Sequence, residues 1–211
     1  MHNIGTRGRC QPTRENFYHW PPGRLCRLSP AAAIVDGAMA YTIRSARTRD
    51  VPVIRKLIDS NAESGRLLSK ATVTLYEDIQ EFFVAELDDD TVLAGCGALH
   101  VMWEDLAEIR TVAVLAAHQG FGIGHQIVDA LLDRARVLGV ERVFVLTFAV
   151  GFFARHGFQP ISGTPVAAEV YSELLRSYDE GVAEFLDLER VKPNTLGNTR
   201  MLLRLSLDGG N

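Results

Sequence analysis

The segment Gln119-Gly120-Phe121-Gly122-Ile123-Gly124 constrains this chain more than any other. It lies between an apolar run ending at Val114 and a long amphipathic stretch, and its glycines read as a turn that opens a helix. The spacing predicts that helix over Gly122–Leu138, with Ile123, Ile127, Leu131, Ala135 and Leu138 forming its apolar stripe. The first turn of a helix has backbone N–H groups without intrahelical partners and carries the positive end of the dipole. Glycines at 122 and 124 let an anion reach that backbone with no Cβ in the way, which suits a pyrophosphate. Two other phosphate sites fail on spacing. The G-K-[ST] of a P-loop is absent, and Gly120, Gly122 and Gly124 do not make the G-x-G-x-x-G of a dinucleotide site.

Around this turn the chain alternates strand and helix patterns. Tyr41–Ala46 reads as a strand. Asp50 can cap a helix that tolerates Pro52 in its first turn, with Val51, Ile54, Leu57 and Ile58 on one face. A second helix is predicted over Val73–Gln80. Phe82–Leu87 and Val92–Val101 form a hairpin across the acidic turn Asp88-Asp89-Asp90. Ala107–Val114 is a further strand, in which period-2 alternation puts Glu108, Arg110 and Val112 on one face. Arg142–Thr147 reads as a buried strand, Phe152–His156 as a short helix, residues 165–190 as mostly helical, and Arg200–Leu207 as a closing strand. Such an order indicates a mixed α/β domain.

At 211 residues the chain holds one domain with a substantial core. The net charge of −4 argues against a nucleic-acid partner, and no apolar run approaches the roughly 18–20 residues of a membrane span. Cys10, Cys26 and Cys96 have neither metal-ligand spacing nor an even-numbered framework, so no metal and a reducing, cytoplasmic setting are expected. Residues 1–38 stand apart: five arginines against Glu15 and Asp36, four prolines and no periodicity. They read as a disordered tail, or as sequence upstream of a true start at Met39, which leaves 39–211 as the folded domain.

Three segments carry a resemblance. Gln119-x-x-Gly122-x-Gly124 resembles the acyl-CoA pyrophosphate loop, Q/R-x-x-G-x-G/A, of the GNAT superfamily of N-acetyltransferases. Glu108–Val114 looks like the strand that precedes it there, and Phe152-Phe153-Ala154-Arg155-His156-Gly157-Phe158 is similar to the later aromatic turn. A narrower likeness rests on Cys96-Gly97-Ala98-Leu99, Glu108-Ile109, Arg142–Thr147 and Asn198-Thr199-Arg200-Met201-Leu202. These resemble the acetyltransferase domain of N-acetylglutamate synthases, above all the short stand-alone actinobacterial ones, which share Val191–Asn198. At this length the amino-acid-kinase-like domain of the long members is not expected.

The resemblance implies a GNAT fold, a mixed and mainly antiparallel sheet flanked by helices and splayed near a bulge at Val114. It implies acetyl-CoA as co-substrate, L-glutamate as acceptor of the acetyl group on its α-amine, the entry to arginine biosynthesis, and a homodimer as one possible assembly. Val112, Ala113 and Val114, the loop Gln119, Gly120, Phe121, Gly122, Ile123, Gly124 and His125, and Thr147, Phe152 and Phe153 would hold the coenzyme. Glu108 would take the amine proton, and Val114 would offer backbone N–H to the thioester oxygen. Lys70, His100, Arg110, Lys192, Asn198, Thr199 and Arg200 would face the substrate carboxylates. Phe153 departs from the tyrosine that many relatives use as general acid, and Gly197 replaces an arginine of the long enzymes. Each role has a bland counterpart: Glu108 paired structurally with Arg110, Lys70 solvated, His100 a satisfied histidine, Phe152 and Phe153 plain core. Two other functions stay open, acetylation of a different small amine or protein N-terminus, and a non-catalytic acyl-CoA sensor.

Overall fold

The structure is a computed structural model, and it describes residues 41–62, 70–87, 92–186, 188 and 198–206. The tail 1–38, the acidic turn 88–90 and Lys192 lie outside the described residues. Seven strands form one sheet: β1 (Tyr41–Ser45), β2 (Phe82–Leu87), β3 (Leu93–Trp103), β4 (Leu106–Val114), β5 (Arg142–Thr147), β6 (Gln159–Pro160) and β7 (Thr199–Arg204). Their order is β1-β2-β3-β4-β5-β7-β6. Only β4 and β5 pair in parallel; every other neighbouring pair is antiparallel.

The strands alternate, so each sheet face is covered separately. Against one face lies α3 (Ile123–Val137), whose Ile127, Val128 and Leu131 pack on Ala94, Leu99, Ile109 and Val143. Gly95 and Gly97 on β3 allow that helix to come close: a Cβ on Gly97 would stand 2.7 Å from Ile127 Cγ2. The opposite face is shared. Over β2–β4, α1 (Val51–Ala62) and α2 (Thr72–Glu77) bury Ile54, Leu57, Ile58 and Leu75 against Val84, Cys96 and Ala98. Over β5 and β7, α5 (Ala168–Leu174) and α6 (Glu180–Phe185) bury Leu174, Val182 and Phe185 against Phe144 and Leu202. Between these two helical groups runs a seam above the middle of the sheet.

Several elements differ from expectation. The helix expected over Val73–Gln80 splits into α2 and a 3₁₀ turn over Ile79–Glu81. Asp50 ends a 3₁₀ turn before α1, accepting the Arg47 N–H at 2.7 Å. The short aromatic helix is α4 (Val150–Ala154). Residues 165–190 contain two short helices, because α5 stops at Leu174 and Asp179 starts a new one by accepting the Val182 N–H at 3.0 Å. The two-residue β6 is too short to leave a periodic signal.

The largest correction concerns β4. Thr111 has φ +61°, the only non-glycine residue with positive φ among the described residues. A β-branched residue in that region marks a real distortion. Opposite it the register with β3 slips between Cys96 and Ala98, so one extra residue is inserted. Glu108 and Arg110 keep to the seam side, where they meet other charged groups, while Val112 turns to the α3 side with Ile109. The expectation that all three share a face fails, because alternation holds only while no residue is inserted. The bulge is thus at Thr111 and not at Val114. Parallel pairing with β5 ends at Glu108 and Phe144, although both strands run on. Past that point the strands part.

Candidate active site

The parted strands open a cleft of about 790 Å³. Its walls include Ile109, Arg110, Thr111, Val112 and Val114 from β4, Val145–Thr147 from β5, and Phe152 and Phe153 from α4. Its end is the glycine turn: Gln119, Gly120, Gly122, Ile123, Gly124 and His125 all line it. Gly122 is the N-cap of α3 at φ +82° and Gly120 has φ +85°, conformations that favour glycine. No side-chain hydrogen bond caps this end of α3, so its first N–H groups face the cleft region with only the helix geometry around them. Gln119 Nε2 donates to the Val114 carbonyl at 3.2 Å and ties the turn to the end of β4. Gly124 lies under the Phe152 ring, where a Cβ would already be in contact at 3.4 Å.

Of the residues expected here, two do not line the cleft. Ala113 faces the α1 side, since the bulge sets it opposite Val112 and Val114, and Phe121 is 56% exposed. Thr147 is present, but its Oγ1 accepts the Ala149 N–H at 2.9 Å and so shapes the turn into α4. Phe153 is buried edge-on to Phe152 and Phe158, and belongs to core and cleft alike. Phe148, Ala149, Arg155 and His118 also line the cleft and were not anticipated.

On the seam side of β4 stands a charged cluster. Glu108 is buried, 4% exposed, with Arg110 Nη1 at 4.0 Å from its Oε2. Arg110 donates to Asp179 Oδ2 at 2.9 Å and to Glu81 Oε2 at 3.0 Å, and lies 3.6 Å from Asp78. His100, across from Glu108 on β3, has Nδ1 2.7 Å from Glu81 Oε1 and Nε2 3.9 Å from Asp179. Lys70 Nζ is 4.0 Å from Asp78 Oδ2. Burial tends to discharge His100, but its hydrogen bond to Glu81 together with the negative charges of Glu81 and Asp179 outweighs burial and holds the imidazole above its ordinary range. Lys70 is held below its ordinary range, first by burial and then by the positive Arg110. Asp179 is held below the usual carboxylate range because Arg110 outweighs its burial. Asp78, Glu81 and Asp179 were missed in the sequence. Glu81 and Asp179 end or begin short helical turns, a local signal that says nothing about the arginine they share.

Four expected substrate residues lie elsewhere or outside the described residues. Arg200 donates from Nη2 to the Phe185 carbonyl at the end of α6, with its guanidinium over the Phe144 ring. Thr199 pairs with Thr147 in the β5–β7 ladder, and Asn198 precedes β7. Lys192 lies outside the described residues. Cys96 is fully buried and its thiol is pushed up to about 12 by burial, which leaves no thiolate for acyl transfer. Among the described residues no group of three or more His, Cys, Asp or Glu side chains could hold a metal ion. No helix among them is long and apolar enough to cross a membrane.

A splayed sheet, an uncapped glycine turn at one end of the split and a buried carboxylate at the other describe an enzyme that binds a phosphate-bearing acyl carrier. The chain belongs to the Acetyltransferase (GNAT) family, whose model matches residues 52–158, and it uses acetyl-CoA. An amino-acid acetyltransferase of Mycobacterium tuberculosis is 64% identical over 165 residues, 77% of this chain and 94% of that protein. A solved structure from the same organism, in complex with CoA, has TM-score 0.74 at 63% identity and covers 78% of this chain and 99% of its own. The N-acetylglutamate synthase of Neisseria gonorrhoeae, complexed with coenzyme A and N-acetyl-glutamate, has TM-score 0.62 at 28% identity. That match covers 79% of this chain and 35% of the longer enzyme.

Proposed function

We propose that this enzyme transfers acetyl from acetyl-CoA to the α-amine of L-glutamate, the first step of arginine biosynthesis. The observation that carries the reading is the meeting of two sites on β4. The cleft reaches Arg110, and Arg110 stands beside the buried Glu108. The first turn of α3 would hold the pyrophosphate, and Val112, Val114, Phe152 and Phe153 the pantetheine arm. Acetyl-CoA supplies an acyl carbon activated as a thioester, whose thiolate leaves readily because thiols ionise near about pH 8.5. An α-ammonium is no nucleophile, so Glu108 accepts its proton, directly or through water. Backbone N–H groups at the end of β4, around Val114, stand ready for the thioester oxygen. Arg110, Lys70 and His100 provide the positive side of the acceptor pocket, and transfer is direct.

One observation favours a second reading. Asp78, Glu81, Asp179 and Glu108 surround those three bases. A substrate carboxylate has to displace one of them, whereas an amino acid with a neutral side chain brings only one carboxylate to place. Thiol release from acetyl-CoA over the twenty amino acids separates the readings. We expect L-glutamate to lead, L-glutamine to be roughly ten- to a hundredfold poorer in kcat/KM, as a lost charge-assisted hydrogen bond implies, and L-aspartate to be poor because it is one methylene short. A better rate with glutamine would transfer the assignment to the neutral side chain, and no release with any amine would favour the sensor.

A further inference from the structure

Glu108 lies beneath a helix. The carboxylate is 4% exposed, and the backbone of α6 covers it so closely that a Cβ at Gly181 would collide with its Oε2. The acceptor amine has to come within reach of Glu108, so that cover has to shift. The two ends of α6 are held differently. Towards its C-terminal end Val182, Phe185 and Leu186 are buried over β5 and β7, and Arg200 of β7 donates to the Phe185 carbonyl. At its N-terminal end the hold is polar. Asp179 Oδ1 accepts the Val182 N–H at 3.0 Å and starts the helix, while Oδ2 accepts from Arg110 Nη1 at 2.9 Å. The chain leading into this contact is little packed: Leu175 is exposed and Tyr178 is 99% exposed.

Arg110 is where this contact meets the cleft, which it lines. Its side chain is 10% exposed, and its buried Nε–H has no hydrogen-bond partner among the described residues. A guanidinium offers five N–H donors in one plane and takes carboxylates through paired bonds. The carboxylates around it are not equally placed to leave. Glu81 is bonded to His100 at 2.7 Å as well as to Arg110 at 3.0 Å. Asp78 stands 3.6 Å from Arg110 and 4.0 Å from Lys70. Glu108 is the buried base itself. Asp179 has the most exposed side chain of the four, 27%, so water can solvate its charge once Arg110 lets it go.

We propose that Asp179 is a latch on the acceptor site: it occupies Arg110 in place of the acceptor's carboxylate, and the incoming carboxylate that displaces it releases the N-terminal end of α6 and uncovers Glu108. The proposal rests on the reading above that Arg110 receives a carboxylate of the acceptor. One exchange of carboxylates then both seats the substrate and admits its amine to the base, and no covalent bond is made or broken. Asp179 is a positioning residue, acting through Arg110 and α6. Apparent affinity falls with the fraction of molecules in the competent state, so the closed latch weakens acceptor binding and loosening it strengthens binding.

The test is calorimetry of L-glutamate binding to the full chain saturated with coenzyme A, which carries no acetyl group to transfer, beside initial rates with acetyl-CoA. Asp179→Asn and Asp179→Ser remove the charge but keep a side chain that starts a helix. Each should bind L-glutamate about three- to tenfold more tightly than wild type, the range for a contact of ordinary hydrogen-bond strength. The KM for L-glutamate should fall to match, and the KM for acetyl-CoA should stay at the wild-type value. A residue that merely supported α6 would act the other way, since loosening a site it helps to build weakens binding. Arg110→Gln should weaken L-glutamate binding, and in that background Asp179→Asn should bring no gain, because there is no guanidinium to set free. Unchanged or weaker binding in both folded Asp179 variants, or a gain that survives Arg110→Gln, would overturn the latch. If wild type prefers another amino acid, that one takes the place of L-glutamate in every arm, since it too brings a carboxylate. Wild type that acetylates no amino acid would instead overturn the reading on which the latch rests, and the latch with it.

Discussion

Glu108 is a carboxylate placed where water hardly reaches it, and a buried charge persists only beside compensating charge. Arg110 supplies that compensation at 4.0 Å and is itself shared with Glu81 and Asp179. Gly181 belongs to the same arrangement, since a Cβ there would collide with the Glu108 carboxylate. The backbone of α6 thus closes over the proposed base. We expect Glu108→Gln, nearly the same shape without the charge, to lower kcat by about a hundred- to ten-thousandfold, the usual range for loss of a general base. The KM for acetyl-CoA should hardly change, because Glu108 itself does not line the proposed coenzyme cleft. Steady-state kinetics between pH 6 and 9 checks both, and an unaltered kcat would place the proton acceptor elsewhere.

Among the elements, β3, β4 and α3 form the unit on which the site depends. The bulge at Thr111 turns β4 over, so the same strand offers Arg110 to the seam and Val112 to the cleft. The glycines of β3 then let α3 approach closely enough to bring its first turn to the mouth of the split. Gly97→Ala would put a Cβ 2.7 Å from Ile127 Cγ2 and 3.1 Å from Leu131 Cδ1, and α3 would have to shift. Overpacking of this kind costs about 1–3 kcal/mol. Thermal melting should show the loss, and calorimetry should show weaker coenzyme A binding in the same variant, since the displaced helix carries the glycine turn proposed to hold the phosphate. Unchanged melting would mean that the helix–sheet contact yields more readily than its geometry suggests.

Over the whole molecule, charge joins parts that hydrophobic packing leaves separate. Arg44 on β1 bonds Glu86 on β2 at 2.6 Å and Asp50 at the start of α1 at 2.7 Å. Asp179 links α6 to β4 through Arg110. Asp50, Glu86 and Asp179 all have carboxyls held below the usual range. In Asp50 and Asp179 burial opposes this and the arginine bonds outweigh it; in Glu86 the Arg44 bond comes first. A folded-state value below the unfolded one means stability that is present above about pH 4, where the unfolded carboxyls ionise, and lost as pH falls through the folded values. The melting temperature should hold near neutrality and fall below about pH 4. Asp50→Asn should cost about 1.5–3 kcal/mol at pH 7, the range for hydrogen bonds to charged groups, and should flatten the acid limb. An identical acid limb in that variant would remove Asp50 from the account.

Much of this was legible without coordinates, wherever the information is local. The stripe of α3, the glycine turn that opens it, the apolar strand runs of β2 and β5 and the placing of Glu108 and Arg110 on one face of a strand all follow from periods and residue types within a few positions. The face of Val112 was not legible, because the inserted residue at Thr111 breaks the period without leaving any signal in composition. The electrostatics of the acceptor pocket were not legible either. Arg110 and Asp179 are 69 residues apart in the chain. Basic residues could be named as carboxylate ligands from type and position alone. That acidic side chains already occupy them depends on folding α2 and α6 over the same strand, since Coulomb interactions act through space and take no account of chain order.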